Sequence, residues 1–294
     1  MRKLTNREKR LLVLFSIFMT IYLADFYHRF WWPSIVRETE HYKIYSTATA
    51  EQTDEIAEIV EIVYAKYLQL FEQFGFQIQE HPKLKMKLFR DREEFRRCNR
   101  IYDWAEAFYR KPYCYQYYSA EEVNPYHWMM HEATHQLNAE AAKLKLSHWL
   151  DEGIACYIST SQIIDGSLSL GQIDLNTYPV WWLASMAQCG DLEMDKNNES
   201  VIPLLAIISG KGGPDINKYF NLYYLHWWSF IHFLMHYENG KYILGLGRLI
   251  KEGGDVSAFG KYIGDIELVE EEWYEYVRNL KQELFSKDPV LLKR

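Results

Sequence analysis

Apolar and polar residues alternate in two short stretches early in the chain and recur at helical spacing through most of the remainder. His41–Ser46 and Leu84–Phe89 alternate with the period of two that predicts strands. Between them, residues 52–74 carry Ile56, Ile59, Ile62, Val63, Tyr67, Leu70 and Phe71 at helical spacing, with Gly75 as a stop. Asp91 stands where it caps a helix opening at Arg92, and the tyrosine-rich stretch 112–119 predicts another strand. From about residue 124 the period is helical. Asn124 as cap and Pro125 at the first helical position open one helix. Others are predicted at 147–160, 178–188, 218–237, 239–252 and 270–284, with a short hairpin or strand at 163–170. Gly210–Pro214 reads as a loop without the spacing of a phosphate loop. An α/β half over 36–120 therefore precedes an α-rich half over 121–294, and the expected fold class is α+β.

The N-terminus breaks this pattern. Arg2, Lys3, Arg7, Lys9 and Arg10 precede an uncharged run from Leu11 to Ala24, and Phe26, Tyr27, Phe30, Trp31 and Trp32 come next. A basic region, an apolar run and an aromatic belt predict an uncleaved signal anchor over 1–35. The expected location is membrane-anchored, with the basic end in the cytoplasm and the body extracytoplasmic, either periplasmic or extracellular. Tyr22 is too large for the small residue that a cleaved signal needs there.

Composition narrows the partners. The 294 residues are 48% hydrophobic, enough for a sizeable core, and 23 Tyr and 10 Trp require bulky rings within it. A net charge of −7, with no Lys/Arg block outside the N-terminus, argues against nucleic acid as a partner. Cys98, Cys114, Cys156 and Cys189 form no C-x-x-C pair, which speaks against a zinc knuckle or thioredoxin-like site; separate thiols and one or two disulfides both fit.

The sharpest chemical signal is His131-Glu-Ala-Thr-His135, an H-E-x-x-H motif on a predicted helix. Residues four apart share a helix face, so both imidazoles reach one ion, while Glu132 is rotated about 100° to stand beside it as a general base. Catalytic zinc takes three protein ligands and leaves one position for water. Glu152, in Trp149-Leu-Asp-Glu-Gly-Ile-Ala155, is the expected third ligand; His148 and His127 are the alternatives. A metzincin-type third histidine falls at Ala141, which excludes that class. His232 and His236 are also four apart, but among Phe233, Leu234 and Met235 they read as packed, hydrogen-bonded histidines.

Together, H-E-x-x-H and Trp149-Leu-x-Glu152-Gly-x-Ala155 resemble the peptidase-MA-like proteins, gluzincins distantly related to thermolysin, over roughly residues 40–284. The stretch 83–95, the helix around 223–234 and Trp273-x-x-Tyr276 resemble other parts of that family. The resemblance implies a zincin-like fold: a small mixed sheet, an active-site helix along it, and an edge strand that pairs with extended substrate. It implies His131, His135 and Glu152 as ligands of one zinc ion, Glu132 as base, and Tyr224 as the oxyanion donor, with Tyr223 and His226 behind it. Cys156 stands where thermolysin-like enzymes often place a carboxylate that orients a ligand histidine, and His148 where the family often has proline. The expected function is a zinc metallopeptidase acting on peptide or protein substrates, with segment 112–119 offering its backbone to them. The alternative is a non-catalytic metal- or peptide-binding domain of the same fold.

Overall fold

In the computed structural model, which describes residues 5–102, 104–119 and 123–287, these patterns resolve into a mixed sheet followed by a helical body. After α1 (Asn6–Arg29) come β1 (Ile35–Glu38), β2 (Tyr42–Ser46), α2 (Ala50–Gln73), β3 (Leu84–Phe89), α3 (Arg92–Cys98), β4 (Ala107–Arg110), β5 (Tyr113–Tyr117) and α4 (His127–Gln136). The sheet order is β1-β2-β3-β5-β4; β2, β3 and β5 run parallel, and antiparallel β1 and β4 form the edges. Alternation gives the sheet two unlike faces. Tyr42, Ile44, Leu84, Met86, Leu88 and Cys114 are buried on the face that α2 and α4 cover. Thr49 and Gln52 form a capping box at the start of α2, and Gly75 ends it at φ +74°.

The second half contains α5 (His148–Ser159), a hairpin of β6 (Gln162–Ile164) and β7 (Ser167–Ser169), then α6 (Leu192–Asn197), α7 (Leu204–Ser209), α8 (Ile216–His236), α9 (Ile243–Lys251), α10 (Val256–Tyr262) and α11 (Ile266–Lys287). Helix α8 is apolar around most of its circumference over 225–235, and such a helix belongs inside. Its Phe230 meets Trp149 of α5 at a ring-centre distance of 5.7 Å and Trp273 of α11 at 5.3 Å.

Four expectations are corrected. The N-terminal helix exists, but among the described residues no helix is long and apolar enough to cross a membrane. The uncharged run 11–24 extends about 21 Å at the α-helical rise, short of a hydrocarbon core of about 30 Å. The anchor is therefore withdrawn, and the extracytoplasmic placement loses its basis. The helix expected at 178–188 is a single 3-10 stretch, Val180–Ser185. The helix that carries the H-E-x-x-H residues starts at His127 rather than at Pro125. Asn124 caps the preceding turn by accepting from Tyr126 N at 3.3 Å, while its amide donates to the Ser159 and Ser161 carbonyls. Finally, 113–117 is an inner strand whose backbone is paired on both sides, so the open edge belongs to β4. The four cysteines are free thiols.

Three core histidines are held neutral. Burial lowers His127 to about 3, His226 to about 4 and His232 to about 3, despite bonds to the carbonyls of Ser159, Leu222 and Gly171. Below pH ~6.5 the unfolded chain binds protons that the folded chain refuses, so stability falls as pH falls. The midpoint of thermal unfolding, followed with chelator present, is expected to drop steadily from pH 6.5 to 5; a flat profile contradicts these burial assignments.

Candidate metal centre

Helix α4 brings His131 and His135 to one side, four residues apart, and α5 packs across it and presents Glu152. His131 Nε2 lies 3.2 Å from His135 Nε2 and 3.2 Å from Glu152 Oε2, and His135 Nε2 lies 3.5 Å from the same oxygen. Four-coordinate zinc with bonds of ~2.0–2.1 Å separates its ligand atoms by roughly 3.3–3.4 Å. The three donor atoms already stand at those separations, and they form the group of potential ligands found among the described residues. The residues present therefore fit a divalent metal of zinc's preference for imidazole and carboxylate.

The charges in this cluster are arranged to receive a cation. Burial raises the Glu152 carboxyl, but bonds from His131 and His135 outweigh it and hold it well below the ordinary range. Burial likewise lowers His135, yet Asp151 and Glu152 outweigh it and hold the imidazole well above its usual value. In the metal-free protein, proton-bearing His135 supplies the positive charge that the acids around it require. A divalent ion held there would supply the same positive charge and leave the ring free to coordinate it.

The orienting shell differs from the expected one. His135 Nδ1 donates to Asp151 Oδ2 at 2.9 Å, Asn138 Nδ2 donates to Asp151 Oδ1 at 2.7 Å, and Tyr67 OH donates to Asn138 Oδ1 at 2.7 Å. This chain of bonds fixes the ring so that Nε2 faces the centre. The orienting carboxylate thus stands at 151 and serves His135. His131 instead turns Nδ1 toward the buried Cys156 thiol at 4.0 Å. Asp151 is readable in the sequence only as the residue before Glu152; Asn138 and Tyr67 carry no signal, because their role exists only once α2, α4 and α5 pack together.

The remaining expected residues divide between the cleft and the core. Glu132 lines the same cleft, and its Oε2 accepts a bond from Tyr109 N of β4 at 2.6 Å. Tyr224 stacks beside His131 with ring centres 6.1 Å apart, and among the described residues no protein group bonds its hydroxyl. Burial, then the nearby Glu152, push its phenol far above the ordinary range, so it stays protonated and able to donate. Tyr223 and His226 lie elsewhere: Tyr223 donates to the Pro214 carbonyl at 2.9 Å, and buried His226 accepts from Ile202 N at 3.0 Å. His148 is 65% exposed, 3.6 Å from the second oxygen of Glu152, and His127 is buried outside the triad. His232 is bonded to Tyr276 and Gly171, and His236 to Tyr157, in keeping with packed histidines.

The cleft above the triad holds about 960 Å³. Residues 104–109, leading into and along β4, line it, as does a cluster of touching rings, Trp128, Tyr178, Trp181, Phe220 and Tyr224. Tyr178 carries no signal of this in the sequence, where its stretch reads as a helix. No known protein family matches this chain, and no curated protein matches it in sequence.

Replacing Asp151 with Ala leaves His135 Nδ1 and Asn138 Nδ2 unpaired without touching a ligand atom. Zinc affinity, measured by competition with a chromogenic chelator, should fall about 10–100-fold. Unchanged affinity contradicts the orienting role.

Proposed function

We propose that this chain is a zinc-dependent peptidase of the gluzincin type, acting on extended polypeptide. The observation that carries the reading is the convergence of His131, His135 and Glu152 on one point beside Glu132, at the floor of an open cleft. A bound zinc supplies a Lewis acid and a water whose pKa is lowered toward ~7.

The chain's own groups supply the rest. Tyr109 N holds one oxygen of Glu132, which leaves Oε1 to accept the proton of the attacking water and to pass it to the leaving nitrogen. Tyr224 keeps its proton and donates to the carbonyl oxygen as charge builds there. Asp151 keeps His135 in the tautomer that points Nε2 inward. The outer edge of β4 runs along the cleft, with Tyr109 N already given to Glu132, so an extended substrate adds to the sheet there through the other outward backbone groups of residues 105–110, in place of the β5 segment expected from sequence. The cluster of rings offers apolar surface for the substrate's side chains.

In Glu132→Gln the base is lost while all three ligands remain. The variant should bind one zinc per chain and lose hydrolysis of a peptide library by about 10²–10⁴-fold. Full activity with the zinc retained would refute the base assignment; hydrolysis undiminished by chelator would refute the metal's part in it.

A further inference from the structure

The sheet face turned away from α2 and α4 takes no part in the chemistry above. Alternation places Lys43 and Tyr45, Lys85 and Lys87, and Tyr113 and Tyr115 on it, all half-buried. Register with β5 adds Phe108 and Arg110 of β4. Helix α3 and the turn after it cover one end, where Phe95 meets Phe89, Phe108 and Tyr117 and Tyr102 stacks on Phe108, and Trp31 lies against Phe89; Lys85 is half-buried and Arg110 is exposed beyond that cover. Amines and rings interleave there. Lys87 Nζ lies 4.7 Å from the ring centre of Tyr113, 4.9 Å from that of Tyr115 and 5.5 Å from that of Trp31. Phe108 stacks on Tyr115 at 4.5 Å. Glu38, at the β1 edge, is paired with Lys43 and Lys83. Among the described residues, Lys85, Lys87 and Arg110 have no carboxylate partner.

This is a basic surface on an acidic chain, and its sign reverses across one strand. On the far side of β4 the cleft carries Glu132, Asp151 and Glu152, whereas Glu106 at the α3 end is paired with Arg92 and Arg96. Asp151 and Glu152 in the cleft are partnered by His135, whereas the sheet-face cations lack carboxylates, so an acidic ligand is drawn to the sheet face. The ring faces are already occupied by lysines and by Phe108, so they offer no platform for bases to stack on, which disfavours single-stranded nucleic acid. Lys85 and Lys87 alternate along one strand, roughly 6.5–7 Å apart, which is the spacing of alternate side chains in an extended peptide.

We propose that this Lys–Tyr face docks an acidic, extended segment of a protein partner. Resting on the peptidase reading, that partner is the substrate, held at a distance from the bond to be cut; the docking itself needs only the sheet face.

The test uses the full chain carrying Glu132→Gln and a fluorescein-labelled peptide of six Glu-Thr repeats, titrated by fluorescence anisotropy. The peptide should bind saturably and more weakly as salt rises. Lys85→Gln with Lys87→Gln should weaken it about tenfold, the size of loss two exposed ion pairs can supply. Arg110→Glu reverses one exposed charge outside the ring cluster and should weaken binding in the same direction, which covers the case of a double variant that melts early. No binding, or binding indifferent to all three substitutions, overturns the proposal. So does tighter binding at this face of oligothymidylate of equal charge or of phosphatidylglycerol vesicles. Cleavage is not read in this assay, so its outcome is separate from that of the peptidase reading.

Discussion

The close approach of α5 to α8 is the constraint on which the candidate metal centre depends. Gly153 follows Glu152 directly and faces α8; a Cβ there would stand 2.7 Å from Ile231 Cγ1 and 3.0 Å from the Trp227 carbonyl oxygen. Only a residue without a side chain lets α5 sit this deep, and that depth carries Glu152 to the imidazoles. On the other side, Gln136 ties α4 to the sheet by donating to the Lys85 carbonyl at 3.0 Å and the Pro112 carbonyl at 3.2 Å. His131, His135 and Glu152 are thus placed by packing and by bonds to backbone rather than by an ion.

Charge follows from that placement. Glu132, Asp151 and Glu152 crowd one cleft with two imidazoles, and without an ion a proton on His135 offsets the acids. The sheet sorts charge further: period-two alternation sends apolar residues to the helices and lysines to the opposite face. An edge strand of four residues separates an acidic cleft from a basic surface.

Much of this is legible in sequence where one element's own periodicity decides the outcome. The helix at 52–74, the strands at 41–46 and 84–89 and the His131–Glu132–His135 stripe all need only local spacing. Short edge strands such as β1 and β4 lack enough residues to show a period, and the edge that lines the cleft is hidden from sequence for that reason. The later start of α4 shows tertiary bonds overriding local propensity, since Asn124 serves the carbonyls of Ser159 and Ser161 as well as its own turn. The Tyr67–Asn138–Asp151–His135 relay joins three helices and has no sequence signature. The N-terminal run resembles a membrane span in its order of charge, apolar and aromatic residues, but its length is too small.

The central claim is that one metal ion is held by two imidazoles and one carboxylate, with a place left for solvent. X-ray absorption at the zinc edge on the purified protein, paired with metal analysis, tests it most directly. The account predicts one zinc per chain with four N/O neighbours at ~2.0–2.1 Å, two of them imidazole, and loss of the metal in Glu152→Ala. No bound zinc, sulfur among the neighbours, or full metal retention in Glu152→Ala would contradict it.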